Sequence, residues 1–258
     1  MELLLSLIIF VFGAIIGSFL NVVILRYNTG RSVQGRSGCF SCGKKLQWSE
    51  LVPIFSFLAQ KGKCLTCKSS ISWQYPLVEA ITGLLFVAVF WREGLAPKII
   101  FYCTVVCLFL VLLVYDFRHN IIPNGFVYVI SLLALARLFW LAPGHLPSAW
   151  ELLAGPILFL PFFLLWWLSQ GRWMGLGDGK LALAMGWLLG LSGGIAAVLL
   201  AFWAGLIVSI ALLVASRKLT MKSEIPFAPF LILSTIAVYL LEIGVEDILY
   251  FFARVFRL

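Results

Sequence analysis

Three aspartates occur in this 258-residue chain, Asp116, Asp178 and Asp247. Asp116 follows the apolar run 101–115, and Asp178 lies inside Gly175-Leu176-Gly177-Asp178-Gly179-Lys180. An ionisable group at membrane depth is costly, so it marks a functional site by default. Two carboxyl groups at one depth point to a single shared reaction. In peptide hydrolysis by such a pair, the ionised group takes a proton from water while the protonated one polarises the scissile carbonyl. Like charges held close divide a titration in this way, and the proton belongs to the pair. Gly175, Gly177 and Gly179 frame Asp178 and allow close backbone approach and positive φ at a helix start, a helix start favours an acid there, and Lys180 follows as motif support. Taken singly, each Asp is equally a helix cap or an inner-leaflet charge. Asp247 reads as a tail residue.

A second constellation is Cys39-Phe-Ser-Cys42 and Cys64-Leu-Thr-Cys67. Four thiolates make a closed tetrahedral zinc site with no open position, so the expected metal is structural Zn2+. The 21 residues between the pairs are one more than the usual zinc-ribbon interval. The loop has too little apolar sequence for a large core, and a metal staple answers that need. Two disulfides or four free thiols are the alternatives; a reducing cytoplasm disfavours disulfides. Cys103 and Cys107, four apart in a helix, read as small packing residues. Glu79, near a helix start, is either a first-turn acid favoured by the dipole or a contact for a substrate amino group. Asn21 and Arg26 are either helix-end polar groups or parts of a methylation or substrate site.

These groups are positioned by a membrane protein. Hydrophobic residues make up 62% of the chain and charged residues 12%, against roughly 25% charged in a soluble domain. Continuous apolar runs, rather than alternating ones, predict helices and not a barrel. The expected fold is all-α, a polytopic helical bundle of about eight transmembrane helices with a small cytoplasmic zinc-binding loop domain. The helices are placed at 3–25, 76–91, 98–116, 124–142, 150–169, 180–192, 195–216 and 227–243, the sixth short enough to be re-entrant. Pro156 and Pro161 are expected to kink the fifth, and Arg137 to snorkel toward the outer face. The tail around Glu242, Glu246, Arg254 and Arg257 fits an interfacial helix or a ragged end of the last span.

Charge sets the orientation. Residues 26–74 carry eight basic residues (Arg26, Arg31, Arg36, Lys44, Lys45, Lys61, Lys63, Lys68) against Glu50, a net of +7 out of +8 for the chain. Later inner loops hold Arg118, Arg172, Lys180, Arg217, Lys218 and Lys222. The positive-inside rule then puts the N-terminus outside, residues 26–75 inside, and both aspartate motifs at the cytoplasmic face. Met1-Glu2 lacks a basic leading region, so the first run is expected to be a retained span. The chain divides into 1–97, the first membrane helices with the Cys loop, and 98–258, which carries both aspartates.

Several motifs occur in one order: Gly17-Ser18-Phe19-Leu20-Asn21-Val22-Val23 with Arg26, the CxxC pairs, Ile71-Ser72-Trp73-Gln74-Tyr75-Pro76-Leu77-Val78-Glu79, Asp116 with Ile122-Pro123, the 175–180 segment, and Ile225-Pro226-Phe227-Ala228-Pro229-Phe230-Leu231. In them, over nearly its whole length, the chain resembles the type IV prepilin peptidases, the bifunctional leader peptidases and N-methyltransferases of bacterial pilus and type II secretion systems. The resemblance implies a GxGD-type aspartyl protease with Asp116 and Asp178 as its dyad. It also implies that prepilin and pseudopilin leaders are cut after a glycine at the cytoplasmic face of the inner membrane. S-adenosylmethionine then methylates the new N-terminal residue, and 1–97 is the part associated with that step. Asn124 stands where the family often has an acid, and Ala228 where it often has glycine. No GxGxxG loop follows a strand, so a Rossmann-type methyl-donor site is not expected.

A prepilin leader is short and basic, so the +7 loop does not attract it by Coulomb steering; membrane lipids or the methyl donor's carboxylate fit that loop better. No nucleic-acid partner is expected. The alternatives are a membrane aspartyl protease without methyl transfer, a transporter using intramembrane acids, and a zinc-stapled assembly factor. The Cys loop argues against the first. The second usually shows inverted repeats with acids near the midplane, whereas both aspartates here map to helix ends.

Overall fold

The computed structural model describes residues 1–30, 32–140, 146–215 and 226–255. Arg31, Arg217, Lys218, Lys222, Ile225 and Arg257, used above, lie outside them. The helices are α1 (Glu2–Arg26), α2 (Phe55–Ala59), α3 (Gln74–Glu93), α4 (Lys98–His119), α5 (Asn124–Trp140), α6 (Ala149–Ser169), α7 (Leu176–Ala215), α8 (Ala228–Leu241) and α9 (Val245–Val255). No β-strand longer than an isolated bridge occurs among the described residues. The chain forms two compact units, Met1–Val111 and Leu112–Leu258, and the division falls inside α4.

Each expected helix has a helical counterpart, but fewer qualify as spans. Five (α1, α3, α4, α6, α7) are long and apolar enough to cross a membrane, and α8 with α9 makes a sixth only as a pair bent by 89°. The described part of α5 is 17 residues long, at the lower limit for a crossing helix. The predicted sixth and seventh helices fall in one 40-residue α7, which would reach about 60 Å if straight. It is broken at Gly190, where φ 74° and ψ −179° are far from helical. The first part, 176–189, is too short to cross the roughly 30 Å hydrocarbon core alone. The last four carbonyls of such a segment lose their intrahelical partners. Arg137 of α5 donates to one of them, the Trp187 carbonyl, at 3.4 Å. The expected snorkelling arginine is therefore turned onto the broken helix. Helix α6 runs as one helix through Pro156 and Pro161.

In the first unit α1 packs on α3 through small residues, the usual way membrane helices approach closely. A Cβ at Gly17 would lie 2.8 Å from the Glu79 Cα, and one at Gly13 would lie 2.9 Å from the Gly83 Cα. In the second unit α7 is central, packing on α5, α6, α8 and α9. The tail is a defined helix: Glu246 accepts from the Ser192 hydroxyl at 2.6 Å, and Phe252 meets Trp203 edge-on at 4.9 Å.

Candidate functional site

Asp116 sits in the last turn of α4 and Asp178 in the first turn of α7. Both belong to the second unit, and they are 4% and 8% exposed. Asp116 acts electrostatically on Asp178. Oδ2 of Asp116 is buried and has no hydrogen-bond partner among the described residues. A buried polar atom left unmade costs about 1–3 kcal/mol, so this oxygen is poised for a proton, a water or a substrate group.

The surroundings of Asp178 explain the glycines. A Cβ at Gly177 would lie 3.0 Å from Ile122, and one at Gly179 would lie 3.2 Å from Phe162. Close approach is what they provide; Gly175, Gly177 and Gly179 are absent from the positive-φ residues, contrary to expectation. Gly175 has open space beside it apart from its own turn. Lys180 donates to Asn124 Oδ1 at 2.9 Å and to the Tyr128 hydroxyl at 3.2 Å. Its ammonium lies 5.2 Å from the ring centroid, so the hydroxyl, not the ring face, is the contact. This clamp ties the first turn of α7 to the first turn of α5. Tyr128 carried no signal in the sequence.

The four cysteines converge in the first unit, with every Sγ within 4.8 Å of every other. Cys39 and Cys67 Sγ are 3.7 Å apart. Tetrahedral zinc with Zn–S near 2.3 Å needs sulfur separations of about 3.8 Å, so the donor set fits the metal. Each pair sits in the same knuckle. An antiparallel bridge closes Gly38 on Lys45 and Lys63 on Ser70. The residue after the second cysteine has positive φ, 71° at Gly43 and 58° at Lys68. The Cys39 thiol is lowered to about 6, chiefly by the backbone N–H groups of Cys42 and Ser41. Cys67 is lowered by the Ser69 hydroxyl and backbone. For Cys42 the Lys44 backbone favours the thiolate, but burial and the thiols of Cys67, Cys39 and Cys64 outweigh it and push it up to about 11. A central divalent cation removes that mutual opposition. Ser69, 3.1 Å from the Cys67 sulfur and 3.6 Å from that of Cys39, is a supporting residue the spacing argument missed.

Beside this loop, Glu79 lies in the second turn of α3. It accepts from the Ile54 N–H at 2.7 Å and from the Ser18 hydroxyl. Asn21 donates to the Tyr75 carbonyl at 3.2 Å and accepts from the Gln74 amide at 3.3 Å, tying α1 to the start of α3. Arg26 gathers the carbonyls of Ser32, Val33 and Gln34 at 2.9–3.3 Å, organising the chain that leads to the first knuckle.

Residues 11–93 match the family described as Bacterial Peptidase A24 N-terminal domain, and residues 103–210 match the Type IV leader peptidase family. Among similar proteins are a prepilin leader peptidase/N-methyltransferase of Myxococcus xanthus, 34% identical over 86% of this chain and 67% of that protein, and one of Bacillus subtilis, 34% identical over 90% and 93%. A third with the same name, from Xanthomonas campestris, is 30% identical over 85% of each chain. No solved structure matches the chain.

Proposed function

The chain belongs to the type IV leader peptidase family, and from that premise we propose that Asp116 and Asp178 hydrolyse the leader of prepilins and pseudopilins, after which the same protein methylates the new amino terminus. The observation that carries the dyad is the pair of buried, electrostatically interacting carboxyl groups, one with an unsatisfied oxygen. The ionised carboxylate draws a proton from water, and the hydroxyl adds to the scissile carbonyl. The protonated partner donates to the carbonyl oxygen. Collapse expels the amine, which takes a proton from the dyad and becomes the new N-terminus. Lys180 acts as a positioning residue through Asn124 and Tyr128, and Gly177 lets the Asp178 turn approach Ile122.

The new amine, once deprotonated, takes a methyl group that S-adenosylmethionine supplies. Residues 1–97 are assigned to that step and 98–258 to peptide cleavage. Cys39, Cys42, Cys64 and Cys67 hold Zn2+ as a cross-link between the two knuckles, with no position left for substrate. Glu79, Asn21 and Arg26 fix the loop against α1 and α3 and so bear on methylation through its geometry. The protein is a multi-pass membrane protein with several apolar helices. We place its N-terminus in the periplasm, and its loop and aspartates at the cytoplasmic face of the bacterial inner membrane.

The test is leader removal from a prepilin by Asp116→Asn and Asp178→Asn variants that keep the wild-type melting profile. Loss of cleavage by at least ~10²–10⁴-fold is expected of an acid–base pair. Full processing by either variant overturns the dyad. The mass of pilin processed by the wild type decides methylation: a methyl increment supports it, and its absence leaves a peptidase only.

A further inference from the structure

The Cys loop carries a feature that neither cleavage nor metal binding uses. Ile54, a β-branched residue, has φ 64° and ψ −53°, and the Phe55 N–H closes on the Pro53 carbonyl at 2.6 Å. This is the strained form of γ-turn. It persists because the Ile54 N–H is bound by the buried Glu79 carboxylate. Glu79 is five residues into α3, so the turn is pinned about 7.5 Å inside the end of that helix. The Phe57 ring also packs on Trp73, just before α3, at 4.9 Å.

The short α2 is thereby held level with the entrance of a membrane span, yet its outer side is apolar and uncovered. Phe55 is 72% exposed and Leu58 59%, with Leu51 and Val52 exposed beside them. Lys61 and Lys63, both exposed, follow directly. Non-helical backbone at membrane depth survives only where its polar groups are satisfied, and the Glu79 bond does that for Ile54. An aromatic and aliphatic wedge backed by lysines, in a loop of net charge +7, complements an anionic phosphate surface.

We propose that residues 51–63 are a membrane-surface anchor: Phe55 and Leu58 enter the headgroup–acyl boundary, and Lys61 and Lys63 bind anionic lipid phosphates. Glu79 is the positioning residue that sets its depth. Lipid rather than a basic leader is the occupant, because like charge opposes the leader.

The test is hydrogen exchange of the full chain in bilayer discs of phosphatidylcholine, with and without phosphatidylglycerol. At about five-fold per lysine at the headgroup surface, exchange across 55–62 should slow roughly 25-fold with the anionic lipid. Lys61→Gln with Lys63→Gln should abolish the lipid difference, and Phe55→Ser with Leu58→Ser should speed exchange in both lipids; these four side chains are exposed, so folding is spared. Amides of α1 and α3 report whether the spans are inserted, and they should be protected throughout. Equal exchange in both lipids with inserted spans overturns the proposal. So does protection that rises with protein-to-lipid ratio, which assigns the face to a second copy. Protection that appears only on adding prepilin assigns it to substrate and overturns it too.

Discussion

Gly186→Ala tests how firmly α6 sets the position of Asp178. Gly186 lies two turns beyond Asp178 on α7. A Cβ there would stand 2.7 Å from the Ala154 carbonyl carbon and 2.7 Å from the Gly155 Cα of α6. These are backbone atoms and cannot rotate away, and ordinary contact begins at 3.4 Å. The Ala154 carbonyl oxygen is closer still, so the two helices must part by about 1 Å. Overpacking of this kind costs about 1–3 kcal/mol, offset by about 1 kcal/mol of helix propensity gained in replacing Gly. The net destabilisation is about 0–2 kcal/mol, a modest fall in melting temperature. Activity should suffer more. Gly179 meets Phe162 and Phe159 of the same α6, so the parting is felt in the turn that carries Asp178. A misplacement near 1 Å costs about 10²-fold in rate, so leader cleavage at subsaturating prepilin should fall roughly 10–100-fold. Gly190→Ala is the contrast: its Cβ meets nothing within 4 Å among the described residues. Its backbone conformation instead costs about 1–3 kcal/mol for a non-glycine residue, so stability falls without a packing shift. Wild-type cleavage by Gly186→Ala, with an unshifted melting curve, would refute the α6 contact as the device that positions Asp178.

Four further outcomes follow from the same geometry. Purified protein should hold one zinc per chain by metal analysis, and Cys64→Ser should lose it together with methyl transfer while leader cleavage continues. Lys68→Gly should stabilise the second knuckle by about 1 kcal/mol, since glycine carries no left-handed penalty; the reading is slower proteolytic nicking of residues 60–72. Glu50 is held below the usual carboxylate range, first by the Gln47 backbone N–H and then by Lys44. Its folded-state pKa is depressed, so its stabilisation is present above the unfolded value of about 4.3 and is lost as pH falls through the folded one. The nicking-rate gap between wild type and Glu50→Gln should therefore close in acid. Asn124→Asp should give Lys180 a carboxylate partner and raise the melting temperature, and a Lys180→Met background should cancel the gain.

The candidate residues stand out in the sequence because their signals are local. The CxxC pairs announce themselves by spacing, and rare aspartates at the ends of apolar runs stand out against hydrocarbon. What the sequence hid is tertiary. Nothing near Ile54 signals a strained turn, because the Glu79 bond that sustains it spans 25 residues. Ser69 and Tyr128 are ordinary residues until folding brings a sulfur or an ammonium beside them. How the two predicted helices within α7 are joined was not legible, because an apolar run from Leu181 to Ala215 does not reveal how a break is satisfied; Arg137, from another helix, supplies a donor for it. Positive φ was expected at the glycines around Asp178, where packing turned out to be the constraint. It appears instead at Gly43 and Lys68, and a lysine in that role is invisible to any composition rule.

The two knuckles share one geometry at the same offset from their cysteines, and this separates what the loop needs from what it is used for. Metal geometry demands the turns and the left-handed residue, and it is indifferent to Phe55, Leu58, Lys61 and Lys63 between them. Those side chains are therefore free to serve the membrane. If they do, the loop's positive charge is already engaged by lipid phosphate, and the basic leader gains nothing from it. Substrate recognition then rests on the apolar stem of the prepilin entering the bilayer beside the aspartates. Salt separates the two possibilities, because exposed charges more than about 10 Å apart are largely screened at 0.1 M. Raising ionic strength should leave KM for prepilin unchanged or lower it, and a KM that climbs with salt would return the recruiting role to charge.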